Sequence, residues 1–182
     1  TPTRVALRTI DGALIRWIDT NPVRDLDVYQ RGDSALVEIP SDKGVTLQAS
    51  ILTPPNFDPT RRYPVWFMTY AGPHAPSISD SWRGGRAYDH MLSQLGMVVF
   101  RMDPHPASGR GAVSAWTAYK QLGVREMQDI EEAITWLKEL PYIDPDRIGM
   151  AGHSYGGFMT AYARTPSSSS APFRTPTPIS NS

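Results

Sequence analysis

Apolar and polar positions divide the chain into three stretches of different rhythm. Between residues 1 and 39 the runs GALIRWID (12–19) and ALVEI (35–39) are short and β-prone, with Asp, Asn, Pro and Gly between them. They show no helical period and predict strands joined by turns. Between 40 and 164 the rhythm alternates. VTLQASIL (45–52) switches between apolar and polar positions in the strand manner. YPVWFMTY (63–70) and MVVFRMD (97–103) are continuous apolar runs that suit buried strands, and the first ends in the turn sequence AGPHAP. RAYDHMLSQLG (86–96) predicts a short helix closed by Gly96, and AVSAWTAYKQLG (112–123) a further helical stretch. The clearest helix spans 124–140. Val124, Met127, Ile130, Ala133, Ile134, Leu137 and Leu140 form one apolar stripe, charges are expected on the opposite face, and Pro141 ends the run. DPDR (144–147) predicts a turn. IGMAG (148–152) predicts a short buried strand running into GHSYGG (152–157), and FMTAYA (158–163) is compatible with a helix. Strand and helix in alternation predict an α/β domain, a largely parallel sheet with helices on its faces.

The rhythm stops at residue 165. Thirteen of the last eighteen residues are Ser, Thr or Pro. Such a segment has too little apolar surface to offset the entropy of ordering, so 165–182 is expected to be disordered. The expected organisation is therefore 1–39, 40–164 and a tail at 165–182.

Composition narrows the function. The 182 residues carry 18 basic and 18 acidic side chains, so charge supplies no case for nucleic acid or an anionic membrane surface. No apolar run approaches the ~20 residues of a membrane span, and the N-terminal residues lack the apolar core of a signal peptide. Localisation is left open. With no cysteine there is no disulfide or thiolate chemistry. The four histidines, His74, His90, His105 and His153, show no metal-binding spacing, and no cofactor is expected. Arg31-Gly32-Asp33 spells an adhesion tripeptide but reads as a polar turn before a strand.

The chemistry sits in Gly152-His153-Ser154-Tyr155-Gly156-Gly157. It has the G-x-S-x-G pattern of a nucleophilic serine on a sharp strand-to-helix turn. Gly152 and Gly156 would remove side chains that clash in so tight a turn. The serine oxygen would then project above the sheet, and the amide of Tyr155, at the start of a helix, would point where an oxyanion forms. His153 precedes the serine and should face the other way along the strand.

The segments YPVWFMTYAGPHAP (63–76) and LGVREMQDIEEAITWLKELPYIDPDRIGMAGHSYGGFMT (122–160), with the spacing between them, resemble the catalytic domain of the prolyl oligopeptidase family, in its dipeptidyl peptidase IV-like branch. The resemblance runs from about Val37 to Ala163. It implies the N-terminal part of an α/β-hydrolase fold, with 1–39 as the end of a β-propeller and the return to the hydrolase. It implies Ser154 as nucleophile, Tyr155 as the residue whose amide serves the oxyanion hole, and Tyr70 as the tyrosine whose hydroxyl completes that hole. It implies a peptide substrate, a dipeptidyl preference after proline, and a possible homo-oligomer of an intact parent. SGRGA (108–112) resembles the family's glycine-rich loop, with a Pro-His-Pro run as a departure.

In α/β-hydrolases the triad runs serine, acid, histidine. After Ser154 this sequence holds no Asp, Glu or His. The chain is therefore expected to be interrupted before its acid and base, and to be inactive and association-prone alone. A non-catalytic scaffold on the same fold, or an esterase or acylaminoacyl-type hydrolase, remain the alternatives.

Overall fold

The computed structural model of the chain describes residues 3–24, 28–42, 44–81, 86–107 and 109–164. The predicted tail at 165–182 and Ser108 of the glycine-rich segment lie outside the described residues. Strand β1 (Val5–Arg8) pairs antiparallel with β2 (Leu14–Asp19) in a two-stranded sheet of their own. Their turn is set by Gly12 at φ 89°, with Thr9 donating to Ala13 and Gly12 to Thr9. This hairpin has little core: Val5, Leu7, Leu14, Ile15, Trp17 and Ile18 are all exposed.

The remaining strands are β3 (Ser34–Pro40), β4 (Thr46–Leu52), β5 (Tyr63–Met68), β6 (Val98–Asp103) and β7 (Ile143–Ala151). They form one sheet in the order β3-β4-β6-β5-β7. β6, β5 and β7 run parallel, as the strand-and-helix rhythm requires. β3 and β4 are antiparallel to each other, and β4 to β6. The sheet is thus mixed rather than largely parallel. The short link at 41–45 between β3 and β4 can only reverse the chain, because a parallel pairing needs a crossover of a dozen residues or more.

Helices cover both faces. α1 (Ala87–Gln94) lies on one, where Leu52, Leu92 and Val99 pack with Trp66 and Met68. α2 (Ala112–Trp116) is a short helix, α3 (Val124–Glu139) the long one, and α4 (Tyr155–Tyr162) follows β7. Alternate residues of the strands, Leu47, Ala49, Val65, Phe67, Phe100 and Met102, meet Met127, Ile130, Ile134 and Leu137 of α3 and Met159 of α4 in the main core. At ~25 cal/mol per Å² of apolar surface, each of these side chains larger than alanine contributes roughly 1.5–3 kcal/mol.

Three sequence expectations change here. The turn at 144–147 exists as a bulge inside β7: Tyr63 pairs with Ile143 and Val65 already with Ile148, while Asp144 accepts from the Asp146 amide and from Arg147. The helical stretch at 112–123 closes after five residues and continues as turns. The charges of α3 are not all on an outer face. Arg125, Glu126 and Asp129 are buried because each has partners inside, and Val124 at the head of the apolar stripe is exposed. At Arg31-Gly32-Asp33 the glycine is packed so closely on the Thr53 carbonyl that no side chain fits, and the Asp33 carbonyl accepts from Thr53.

Candidate functional site

Backbone geometry builds the turn after β7. Ser154 has φ 55° and ψ −118°, a region that a residue with a side chain occupies only under constraint from its surroundings. Two constraints are visible. A side-chain carbon on Gly152 would stand 2.5 Å from the Gly156 carbonyl oxygen and 2.6 Å from that of Thr69. One on Gly156 would collide with the same Thr69 oxygen. The end of β5 and the turn therefore press together backbone to backbone, and the Thr69 amide donates to the Ala151 carbonyl at 3.2 Å. The glycines at 152 and 156 are there because nothing larger fits.

The first turn of α4 closes with Gly156 N–H on the His153 carbonyl (2.9 Å) and Phe158 N–H on the Ser154 carbonyl (3.1 Å). Tyr155 is the first helical residue, so its amide has no acceptor within the helix. The Ser154 side chain is exposed and makes no capping bond. His153 is exposed as well.

Tyr70 leaves β5 beside this turn. Its ring lies over Gly72, where a side-chain carbon would be 2.5 Å from Cε1, and its centroid is 6.5 Å from that of Tyr155. Tyr70 is 39% exposed, and among the described residues its hydroxyl makes no hydrogen bond. Ala71 and His74 take positive φ (61° and 59°), which bends the chain sharply after Tyr70. The bend is held from the end of β6 and the turn after it: the His74 amide donates to the Pro106 carbonyl (2.9 Å), and Asp103 accepts from Ser77 N (2.7 Å), Ser77 Oγ (2.6 Å) and Ile78 N (2.8 Å). Gly109 of the glycine-rich segment lies against Pro76 of the same bend.

The sequence motif thus brings Ser154, Tyr155 and Tyr70 into one neighbourhood. His90 and His105 lie elsewhere. His90 is on α1, across the sheet, with its imidazole pKa lowered by burial and by Arg31. His105 is buried in a 3-10 turn (His105–Ala107), with Nδ1 2.9 Å from Asp129 Oδ1 and 3.2 Å from Arg125 Nη2. The cavity that His105 lines is walled by Val45, Val113, Ser114, Val124 and Gln128, not by Ser154. Burial pushes the Asp129 carboxyl up, against the pull of His105 and Arg125. His74 is exposed on the bend.

Two residues that the motif did not mark complete the arrangement. Glu126 is fully buried and accepts from the Tyr155 hydroxyl at 2.7 Å; burial and this carboxylate hold the phenol well above its usual range. Asp103 is the other. The signal for Glu126 is its place three residues after Gly123, the capping spacing at a helix start. Among the described residues no cluster of three or more acidic or histidine side chains could hold a metal ion. No described helix is long and apolar enough to cross a membrane.

Residues 86–174 match the model of the prolyl oligopeptidase family. The chain is 33% identical over 151 residues to the dipeptidyl peptidase 4 of Arthroderma otae, covering 81% of this chain and 20% of that protein. It is 34% identical over 120 residues to a probable dipeptidyl-aminopeptidase B of Metarhizium robertsii, covering 64% of this chain and 13% of that one. Among solved structures it superposes on the dipeptidyl peptidase 4 of Porphyromonas gingivalis with a TM-score of 0.76 at 34% identity, covering 88% of this chain and 23% of that one. A putative dipeptidyl aminopeptidase IV of Bacteroides ovatus superposes with a TM-score of 0.81 at 30% identity and the same coverage. The chain spans about a fifth of the length of these relatives.

Proposed function

The chain belongs to the prolyl oligopeptidase family, and on that footing we propose that Ser154 is the nucleophile of a serine peptidase of the dipeptidyl peptidase type. The observation that carries the reading is the Ser154 backbone, at φ 55° in a turn that only Gly152 and Gly156 allow. In this mechanism a base takes the Ser154 proton, and Oγ attacks the peptide carbonyl. The carbonyl oxygen gains negative charge that the Tyr155 amide and the Tyr70 hydroxyl stabilise, each donor worth roughly 3–4 kcal/mol in related sites. Collapse releases the amine with that proton and leaves an acyl-enzyme, which water then hydrolyses. No step calls for a cofactor. The relatives' names support the substrate class, a peptide from which a dipeptide is released.

Among the described residues no histidine makes a hydrogen bond to Ser154, and no Asp, Glu or His follows Ser154 in the sequence. The 182 residues alone are therefore silent toward peptides, since loss of the base lowers kcat about a million-fold in another serine protease. A fluorophosphonate probe tests both statements. The 182-residue chain stays unlabelled. A chimera with residues 34–164 in place of the matching segment of the P. gingivalis dipeptidyl peptidase 4 is labelled and releases dipeptides, and Ser154→Ala in it abolishes both. Labelling of the short chain at Ser154 overturns the missing base. A folded chimera without label overturns Ser154 as nucleophile.

A further inference from the structure

We propose that Glu126 is a positioning residue for the Ser154 turn: its carboxylate fixes the Tyr155 side chain against the start of α3, and so fixes the amide that Tyr155 presents at the top of α4. The inference rests on the reading of Ser154 and Tyr155 given above.

A fully buried carboxylate is costly unless its lone pairs are satisfied. Glu126 spends its two oxygens on two different elements. Oε2 accepts the Gly123 amide at 3.1 Å, at the N-terminal end of α3, where the helix dipole favours negative charge. Oε1 accepts the Tyr155 hydroxyl at 2.7 Å, across 29 residues of chain. One side chain thus joins the start of α3 to the first residue of α4.

The neighbouring contacts run the same way. Gly123 has φ 87°, and a side-chain carbon on it would stand 3.4 Å from the Phe158 ring and 3.6 Å from that of Tyr162. The turn at Gly123 therefore receives α4 along its length. The Tyr155 and Phe158 rings are 5.4 Å apart, and those of Phe158 and Tyr162 5.8 Å. Ser154 is held on its β5 side by the glycine contacts with Thr69. On its helix side the Phe158 amide holds the Ser154 carbonyl, and the Tyr155–Glu126 bond ties the next residue to the start of α3. A strained conformation persists only where its surroundings determine it from both directions.

The test uses the 182-residue chain and no reaction at Ser154, so its failure is separate from a failure of the nucleophile reading. With [13Cζ]tyrosine labelling, the Tyr155 resonance is assigned by Tyr155→Phe. In Glu126→Gln the phenol keeps an acceptor but loses the carboxylate charge, and its titration moves down. The second readout is exchange of the Phe158 amide, whose bond to the Ser154 carbonyl closes the turn. In Glu126→Leu and in Tyr155→Phe it speeds by about tenfold or more, the size of one lost hydrogen bond to a charged group. The core amides of Ile134 and Leu137 keep their rates. The double variant exchanges no faster than the faster single one, because both remove the same bond. An unmoved Tyr155 titration, an equal rise at Ile134 and Leu137, or additive effects in the double variant would each overturn the proposal.

Discussion

Thr69 and Gly152 meet backbone to backbone: a side-chain carbon on the glycine would stand 2.6 Å from the threonine carbonyl oxygen. β5 and β7 are neighbours in the parallel part of the sheet, and this contact is where their ends converge. It brings the residue after Thr69, Tyr70, beside the turn that carries Ser154. Gly152→Ala and Gly156→Ala are each expected to destabilise the chain by about 1–3 kcal/mol, as overpacking does. Gly157→Ala, whose added carbon meets only the Gly152 carbonyl at 3.4 Å, is expected to be neutral or slightly stabilising in its helix. Urea unfolding of the three variants checks the order.

Tyr70 is exposed, with its hydroxyl uncommitted among the described residues. In the chimera described above, Tyr70→Phe is expected to lower kcat by roughly 10²–10³ with KM little changed, because the phenol acts on charge that forms only in the transition state. Steady-state kinetics on a dipeptidyl anilide reads this. A change in KM with kcat intact would place Tyr70 in substrate binding instead.

The phenol of Tyr155 is held above its usual pKa of 10.0 by burial and by Glu126. A raised folded-state pKa adds stability that is complete below the unfolded value and lost as pH rises through the folded one. Stability should therefore fall above about pH 10, and the fall should be shallower in Tyr155→Phe. Thermal unfolding at a series of alkaline pH values measures it. Parallel curves for the two proteins would contradict the assignment.

Asp89 of α1 and Arg101 of β6 form a two-pronged pair, Nε to Oδ2 at 2.8 Å and Nη2 to Oδ1 at 2.6 Å, with the Asp89 side chain 7% exposed. Arg101→Leu leaves the carboxylate only the Arg86 guanidinium at 4.0 Å and is expected to cost about 3 kcal/mol, while the double change Asp89→Leu with Arg101→Leu should recover most of the loss. Chemical denaturation of the single and double variants decides between these.

Much of the frame was legible in the chain. The apolar runs at 63–70 and 97–103 became β5 and β6, and the stripe from Met127 to Leu137 became the core face of α3. Periodicity reports burial of apolar groups, and that is all these elements needed. It misreported Arg125, Glu126 and Asp129, since a polar residue on a helix looks the same whether it faces water or a buried partner. Local spacing does pair Arg125 with Asp129 and Glu126 with the Gly123 amide, but the partners that draw these side chains inward, Tyr155 and His105, are distant in sequence and outside any local pattern. The antiparallel half of the sheet was missed for a similar reason: strand order depends on which edges meet.

By itself the sequence determined that Ser154 sits on a strand-to-helix turn, because a glycine on each side of the serine leaves few other backbones open. It also determined that no acid or histidine follows that serine in these 182 residues. Only the tertiary structure decided what the turn is pressed against. The Thr69 carbonyl, which forbids a side chain at 152 and 156, and the Glu126 carboxylate, which takes the Tyr155 hydroxyl, both reach it from other elements. Steric exclusion and hydrogen bonding act across space, and the chain must fold before either can be read.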